Sequence, residues 1–252
     1  MAIEVFNRYE EKYIISKEVF YSLRDDLKEY LELDPYNQNN AYYSIYNYYL
    51  DTINDDLIQQ SLQKPTYKEK VRIRSYYDFK AGEMVFLEIK KKCGGIVNKR
   101  RTQMKLEEAV FFVKTGKIPK IQDYMNGQVL KELEYLFSKE ALMIKTWIKY
   151  DRIAYFSKER KDLRITFDTN IRSKRPCCEE QVLLSDDWII LEIKAGQNMP
   201  LWLTKILTDY HLQPASFSKY GKEYQFYHLQ NQLEKLYPEM EKSYLEEEYV
   251  YA

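Results

Sequence analysis

Lys70-Val71-Arg72-Ile73-Arg74-Ser75-Tyr76 alternates a basic residue with an aliphatic or small one over its first six positions. A period of two puts residues i, i+2 and i+4 on one face of a strand, so Lys70, Arg72 and Arg74 share one face and Val71 and Ile73 the other. Phe86-Leu87-Glu88-Ile89-Lys90-Lys91-Lys92 repeats the arrangement, with Glu88 and Lys90 opposite Val85, Leu87 and Ile89. Further out, Arg8, Glu10 and Lys12 align, as do Lys99 with Arg101, and Tyr150 with Arg152. Arg164, Thr166 and Asp168 oppose Leu163, Ile165 and Phe167, and Glu192 with Lys194 opposes Ile189, Leu191 and Ile193. One such strand is an ordinary half-exposed strand. Seven are harder to place that way, because a solvent face mixes Thr, Ser and Gln with its charges, whereas here Arg and Lys recur at spacing two. If the apolar faces pack under helices and the sheet closes, the charged faces line a lumen.

Periodicity predicts strands over 3–15, 41–50, 67–78, 84–92, 96–105, 142–156, 163–170 and 188–194. Turns are expected at Lys80-Ala81-Gly82-Glu83 and at Gly94-Gly95. Ser16 should cap a helix that carries Val19, Phe20, Leu23, Leu27, Tyr30 and Leu31 and ends near Asp34-Pro35. Helices are further expected over 106–114, 123–139, 201–211 and 217–236, the second with an apolar stripe of Val129, Leu130, Leu133, Leu136 and Phe137. Eight antiparallel strands suffice to close a barrel around side chains or one small ligand. The expected fold is therefore α+β, an antiparallel eight-stranded β-barrel forming a tunnel, with helices packed outside. With no internal repeat or low-complexity linker, one domain over 1–252 is expected, its core at 3–235 and an acidic, solvated tail at 236–252.

Composition narrows the function. The 252 residues include 39 Lys and Arg against 39 Asp and Glu, and 45% are hydrophobic, which excludes disorder and collagen. Zero formal charge argues against a general attraction to nucleic acid or anionic lipid. No apolar run approaches the roughly 20 residues needed to cross a bilayer, and the first residues lack a signal-peptide core, so a soluble, cytoplasmic protein is expected. Cys93, Cys177 and Cys178 make neither a disulfide framework nor a CxxC site, and His211 and His228 lack zinc-ligand spacing. Most of the 25 tyrosines read as filler of half-buried strands.

Electrostatics selects the ligand. Two like charges about 4 Å apart cost roughly 4 kcal/mol at an effective dielectric near 20. About nine inward cations exceed what Glu10, Glu88, Asp168 and Glu192 neutralise. A polyanion dense in charge fits such a lumen, and Arg and Lys are the side chains suited to phosphate. The carboxylates suit Mg²⁺ or Mn²⁺, which bridge carboxylate to phosphate.

These residues resemble the triphosphate tunnel metalloenzymes, and most closely the VTC domain, the polyphosphate polymerase of the vacuolar transporter chaperone complex and its bacterial relatives. The motifs are RYEEKY (8–13), KVRIRSY (70–76), FLEIKKK (86–92), NKRR (98–101), YDRIAY (150–155), LRITFD (163–168), LEIKAG (191–196) and FSKY (217–220), in family order. The resemblance implies a tunnel in which Lys12, Arg72, Arg74, Lys90, Lys99, Arg152 and Arg164 hold phosphate. Tyr150 would line the tunnel and Glu192 would bind Mn²⁺ or Mg²⁺. Ser218 and Lys219 would hold phosphate at a tunnel mouth, although Ser218 also suits a helix N-cap. Lys12, Arg72, Arg74, Lys90, Arg152 and Arg164 are the expected catalytic set. Arg8, Glu10, Glu88, Lys99, Arg101, Tyr150, Lys194, Ser218 and Lys219 are the expected substrate contacts.

The sequence departs from the eukaryotic complexes in having neither an SPX domain nor a transmembrane segment. Arg8 stands where CYTH-type triphosphatases carry the first glutamate of Glu-x-Glu-x-Lys, which favours the VTC-like branch. The implied activity is transfer of the ATP γ-phosphate onto inorganic polyphosphate. A metal-dependent triphosphatase or polyphosphatase, or a non-catalytic polyphosphate- or nucleotide-binding module, are the alternatives. A membrane partner and the oligomeric state stay open.

Overall fold

The alternating stretches all become strands in the computed structural model, which describes residues 9–37, 41–94, 96–176, 178–196 and 198–236. Arg8 and most of the acidic tail lie outside the described residues. The order is β1 (Tyr9–Ser16), α1 (Lys17–Leu27), β2 (Leu31–Leu33), β3 (Tyr43–Asp51), α2 (Asp56–Leu62), β4 (Tyr67–Ser75), β5 (Met84–Cys93) and β6 (Ile96–Lys105). It continues with α3 (Leu106–Thr115), α4 (Gly127–Lys139), β7 (Met143–Ser157), β8 (Arg164–Lys174), β9 (Gln181–Val182), β10 (Trp188–Ala195), α5 (Leu201–Asp209) and α6 (Lys219–Leu236).

The fold is α+β, built on one antiparallel sheet of ten strands. Eight form a continuous path, β1-β10-β8-β7-β3-β4-β5-β6, with β2 added to β7 and β9 to β8. The expected closure is not complete: among the described residues no ladder joins β1 to β6. The sheet nevertheless curls far enough for Glu10 on β1 to reach Lys90 on β5 at 3.3 Å.

Apolar faces pack outward against helices, as the alternation requires. Tyr13, Ile15, Ile165, Phe167, Leu191 and Ile193 meet Phe20, Leu23 and Leu27 of α1 and Leu203 and Leu207 of α5. Val71, Ile73, Val85, Leu87 and Ile89 meet Ala109 and Phe112 of α3 and Leu130 and Leu133 of α4. Each fully buried Leu, Ile or Phe contributes about 1.5–3 kcal/mol relative to exposure, so these two layers hold the sheet curved.

Ser16 caps α1 by accepting from Val19 N–H at 3.3 Å. The helix ends at Leu27, however, and does not run on toward Asp34-Pro35. Tyr30 stacks on Trp202, ring centroids 4.2 Å apart. Leu31 begins β2, paired with Ser157. Both residues reach the same apolar cluster that a longer helix would have reached, so their spacing could not separate the two outcomes. The short helix α2 has no sequence signal of its own. Its first turn is held from the end of β3, where the Asp51 carboxylate accepts from Leu57 and Ile58 N–H at 2.8 and 3.0 Å.

Candidate functional site

Cross-strand register carries the charged face around the curl. Glu10 pairs with Lys194, Lys12 with Glu192, and Glu192 with Thr166. Arg152 pairs with Asp168 and with Tyr43. Tyr49 pairs with Arg72, and Asn47 with Arg74. Arg72 pairs with Glu88, and Lys90 with Lys99. Directly paired side chains lie on one face of a sheet, so these residues converge on a common interior.

Four carboxylates anchor that interior, each shared by several cations. Glu88 is 1% exposed and takes Arg72 at 2.7 Å, Lys99 at 2.7 Å and Arg74 at 3.9 Å. Burial opposes its charge, but Arg72 and Arg74 outweigh burial and hold the carboxyl far below its ordinary range. Asp168, fully buried, receives both arms of Arg152 at 2.6 and 2.7 Å and Lys219 at 2.6 Å. Burial is again overcome, by Arg152 and Lys219, and the Asp168 carboxyl is pulled down to about 2. Glu192 contacts Lys194 at 2.7 Å and Arg152 at 3.7 Å, while Glu10 contacts Lys90 at 3.3 Å and Lys12 at 3.4 Å.

Three interior lysines, Lys70, Lys99 and Lys194, are left with their charge penalised, Lys194 chiefly by burial. Burial is the main cause at Lys70, with help from Lys90 and Lys12, and its ammonium falls to about 8. At Lys99 burial, together with the guanidiniums of Arg74 and Arg72, outweighs Glu88 and lowers the ammonium to about 7. Among the described residues, nine basic side chains around the interior, Lys12, Lys70, Arg72, Arg74, Lys90, Lys99, Arg152, Lys194 and Lys219, face four carboxylates, Glu10, Glu88, Asp168 and Glu192. The excess is uncompensated positive charge.

The start of α6 lies inside this ring. Lys12 Nζ donates to the Phe217 carbonyl at 2.9 Å, and Lys70 Nζ donates to Ser218 Oγ at 2.9 Å. Ser218 also acts as the helix N-cap, its Oγ accepting from Gly221 N–H at 3.1 Å. A Cβ at Gly221 would stand 3.1 Å from Leu62 of α2, so glycine permits the two helices to approach. Tyr220 stacks on Tyr49 at 4.7 Å and donates to Asp51 at 2.9 Å. Further along, Glu223 is bound by Arg175 at 2.7 Å, and Arg175 also reaches Asp55 at 3.0 Å, which fixes α6 to the sheet.

Most of the residues picked out by sequence come together here, namely Lys12, Arg72, Arg74, Lys90, Arg152, Glu10, Glu88, Lys99, Tyr150, Lys194, Glu192, Ser218 and Lys219. Tyr150 is buried, its hydroxyl accepting from Arg74 at 3.0 Å and its ring under Lys219 at 4.3 Å. Two stand apart. Arg101 pairs across strands with Glu88, yet it is exposed and its guanidinium lies 4.5 Å over the Phe86 ring. Arg164 is drawn to buried Asp34 at 2.8 Å and lies over Phe156, at the rim. Conversely, Tyr49 and Asn47 are parts of the wall that charge alternation could not reveal. Tyr49 accepts from Arg72 at 3.1 Å, and Asn47 accepts from Arg74 at 3.0 Å.

The donor set bears on a divalent ion. Glu192 carries a carboxylate whose cross-strand neighbour, Thr166, has a buried hydroxyl with no hydrogen-bond partner. Among the described residues no three His, Cys, Asp or Glu side chains gather. These groups fit an ion bound by one protein carboxylate and otherwise by phosphate oxygens, the mode Mg²⁺ commonly adopts, and do not form a cage of protein ligands.

Comparison with known proteins places the chain. Among solved structures, a candidate adenylate cyclase from Bacillus halodurans has the same fold, with a TM-score of 0.53 and 15% identity over 85% of this chain and 94% of that one. A Pyrococcus horikoshii protein is 13% identical over 88% of this chain and 99% of that one, with a TM-score of 0.42. No curated protein sequence matches the chain. No described helix is long and apolar enough to cross a membrane. The VTC domain model matches residues 7–228, from the start of β1 into α6 and across every charged strand described above, and the chain accordingly belongs to the VTC domain family.

Proposed function

We propose that the protein is a polyphosphate polymerase that transfers the γ-phosphate of ATP to the end of an inorganic polyphosphate chain. The observation that carries this reading is the interior itself, with nine cations on four carboxylates, each carboxylate already shared. A terminal phosphate oxygen of the chain attacks the γ-phosphorus, the β–γ bridging P–O bond breaks, and ADP leaves. The acceptor is already an anion, so no side-chain nucleophile is needed. The work is to align two polyanions that repel each other and to neutralise charge on the transferred group. Arg72, Arg74 and Arg152, oriented by Glu88, Asn47 and Asp168, would offer their remaining N–H groups and their fixed charge to phosphate oxygens. A divalent ion held by donor phosphates and Glu192 would add further neutralisation of the donor charge. Glu88 and Asp168, held ionised by Arg72, Lys99, Arg152 and Lys219, are poorly placed to act as a base toward water, which supports transfer over hydrolysis.

The test is a gel assay of products with ATP as the sole phosphate source and Mn²⁺ or Mg²⁺ present. Long polyphosphate and ADP are expected; free phosphate alone would assign the site to hydrolysis, and bound but unconsumed ATP to a binding module.

The lowered ammonium pKa values give a pH dependence. A bound polyanion favours the charged form of Lys70 and Lys99, raising their pKa from about 8 and about 7 toward the ordinary lysine range. Binding therefore takes up protons above about pH 7, and affinity should be greatest at or below that pH and fall as pH rises toward 9. Calorimetry of tripolyphosphate binding in two buffers of different ionisation enthalpy measures the uptake. No uptake at pH 8.5 would contradict the assignment of these two lysines to phosphate.

A further inference from the structure

Cations continue along β4 and β5 beyond what the interior requires. Lys68 and Lys92 are direct cross-strand partners, as are Lys70 and Lys90, and Lys90 and Lys99. Like charges directly opposite one another destabilise an antiparallel pair, yet three such pairs stand together. Lys64, in the loop before β4, has a φ of 54°, a conformation costly for a residue with a Cβ. Its charge acts on Lys68 together with those of Lys92 and Lys90. Among the described residues, Lys64, Lys68 and Lys92 form no ion pair. The adjacent Glu69 faces the other side of β4, where Lys91 approaches it at 3.8 Å. Side-chain exposure rises from 8% at Arg74 to 19% at Arg72 and 40% at Lys90, and Lys92 is exposed. Arg74 to Lys68 spans about 20 Å of strand, so the series is a path from the buried interior to the surface.

The side-chain type changes along it. Guanidinium forks fix a phosphate in one orientation, whereas an ammonium on a flexible stem is a point charge that tolerates movement of its anion. We propose that Lys64, Lys68 and Lys92 form an outlet subsite for the phosphates of an inorganic polyphosphate chain that have passed Lys70 and Lys90. This rests on the polymerase reading above. On this face the rings of Tyr49 and Phe86 stand at the register positions of Arg72 and Arg74, at the buried end and away from Lys68 and Lys92, which separates the path from a single-stranded nucleic-acid groove with stacking rings along it.

The test uses the full chain and its K64Q/K68Q/K92Q variant, with tripolyphosphate, long-chain polyphosphate and single-stranded RNA as probes. The wild type should bind long-chain polyphosphate more tightly than tripolyphosphate. The variant should lose about tenfold in long-chain affinity with a flatter salt dependence, while tripolyphosphate binding is unchanged. Since Lys68 also donates to the Ser61 carbonyl at 3.2 Å, K92Q alone, at an exposed position, should show part of the same loss without disturbing the fold. Unchanged long-chain affinity, or an equal loss for both phosphates, overturns the outlet. RNA affinity falling in parallel would make the path a nucleic-acid surface instead. A wild type that binds both phosphates alike overturns the outlet alone, whereas one that binds neither overturns the phosphate reading of the interior and the outlet with it.

Discussion

Arg152→Ala is expected to reduce polyphosphate synthesis by at least about 10²–10³-fold, the loss seen when one fixed donor to transition-state charge is removed. Unlike a substitution at a purely solvent-facing cation, it should also destabilise the fold. Asp168 is fully buried and receives both arms of Arg152, so removing the guanidinium leaves a buried carboxylate with Lys219 alone. Breaking one side of a buried pair costs about 3–5 kcal/mol. The two effects separate in the double variant: Arg152→Ala with Asp168→Asn should regain much of the stability and none of the activity. Arg152→Lys keeps the charge but loses the fork, and should recover stability before rate. Denaturant midpoints and the gel assay measure both. Synthesis near the wild-type rate in Arg152→Ala would remove this residue from the transfer step.

Glu88→Gln carries the second large effect. One carboxylate, almost without solvent contact, neutralises Arg72 and Lys99 at 2.7 Å and assists Arg74. Its loss leaves three cations facing each other, and the fold should weaken by about 3–5 kcal/mol. The same change leaves the interior more strongly attractive to anions. Tripolyphosphate should therefore raise the melting temperature of the variant by more than that of the wild type, because a ligand that binds only the native state stabilises by an amount that grows with the logarithm of its affinity. A variant as stable as the wild type, or one whose ligand-induced shift is no larger, would show that Glu88 does not balance the site.

Much of this architecture was legible as a period of two. The same count that sent Val71, Ile73, Leu87 and Ile89 to the helices sent Arg72, Arg74, Glu88 and Lys90 to the interior, so fold and candidate site were one observation. What escaped had no such period. Tyr49 and Asn47 sit on an inner face that carries no basic residue, and their part follows only from pairing with Arg72 and Arg74. Arg101 has the correct parity, but position on a face does not decide where a long side chain ends, and Phe86 captures it. Arg164 is likewise decided by Asp34, 130 residues earlier in the chain. Leu31 satisfied a helical count and a strand equally, since either route buries it in the same cluster.

The seam between β1 and β6 has a mechanical consequence. In a closed barrel, strand number and stagger dictate the radius, and widening it means breaking a ladder of backbone bonds. Here the circumference is completed by Glu10 and Lys90, one ion pair at 3.3 Å, and by the lysines gripping the start of α6. The width of the interior should therefore be an electrostatic quantity, answering to ionic strength and to the charge of any anion held within it.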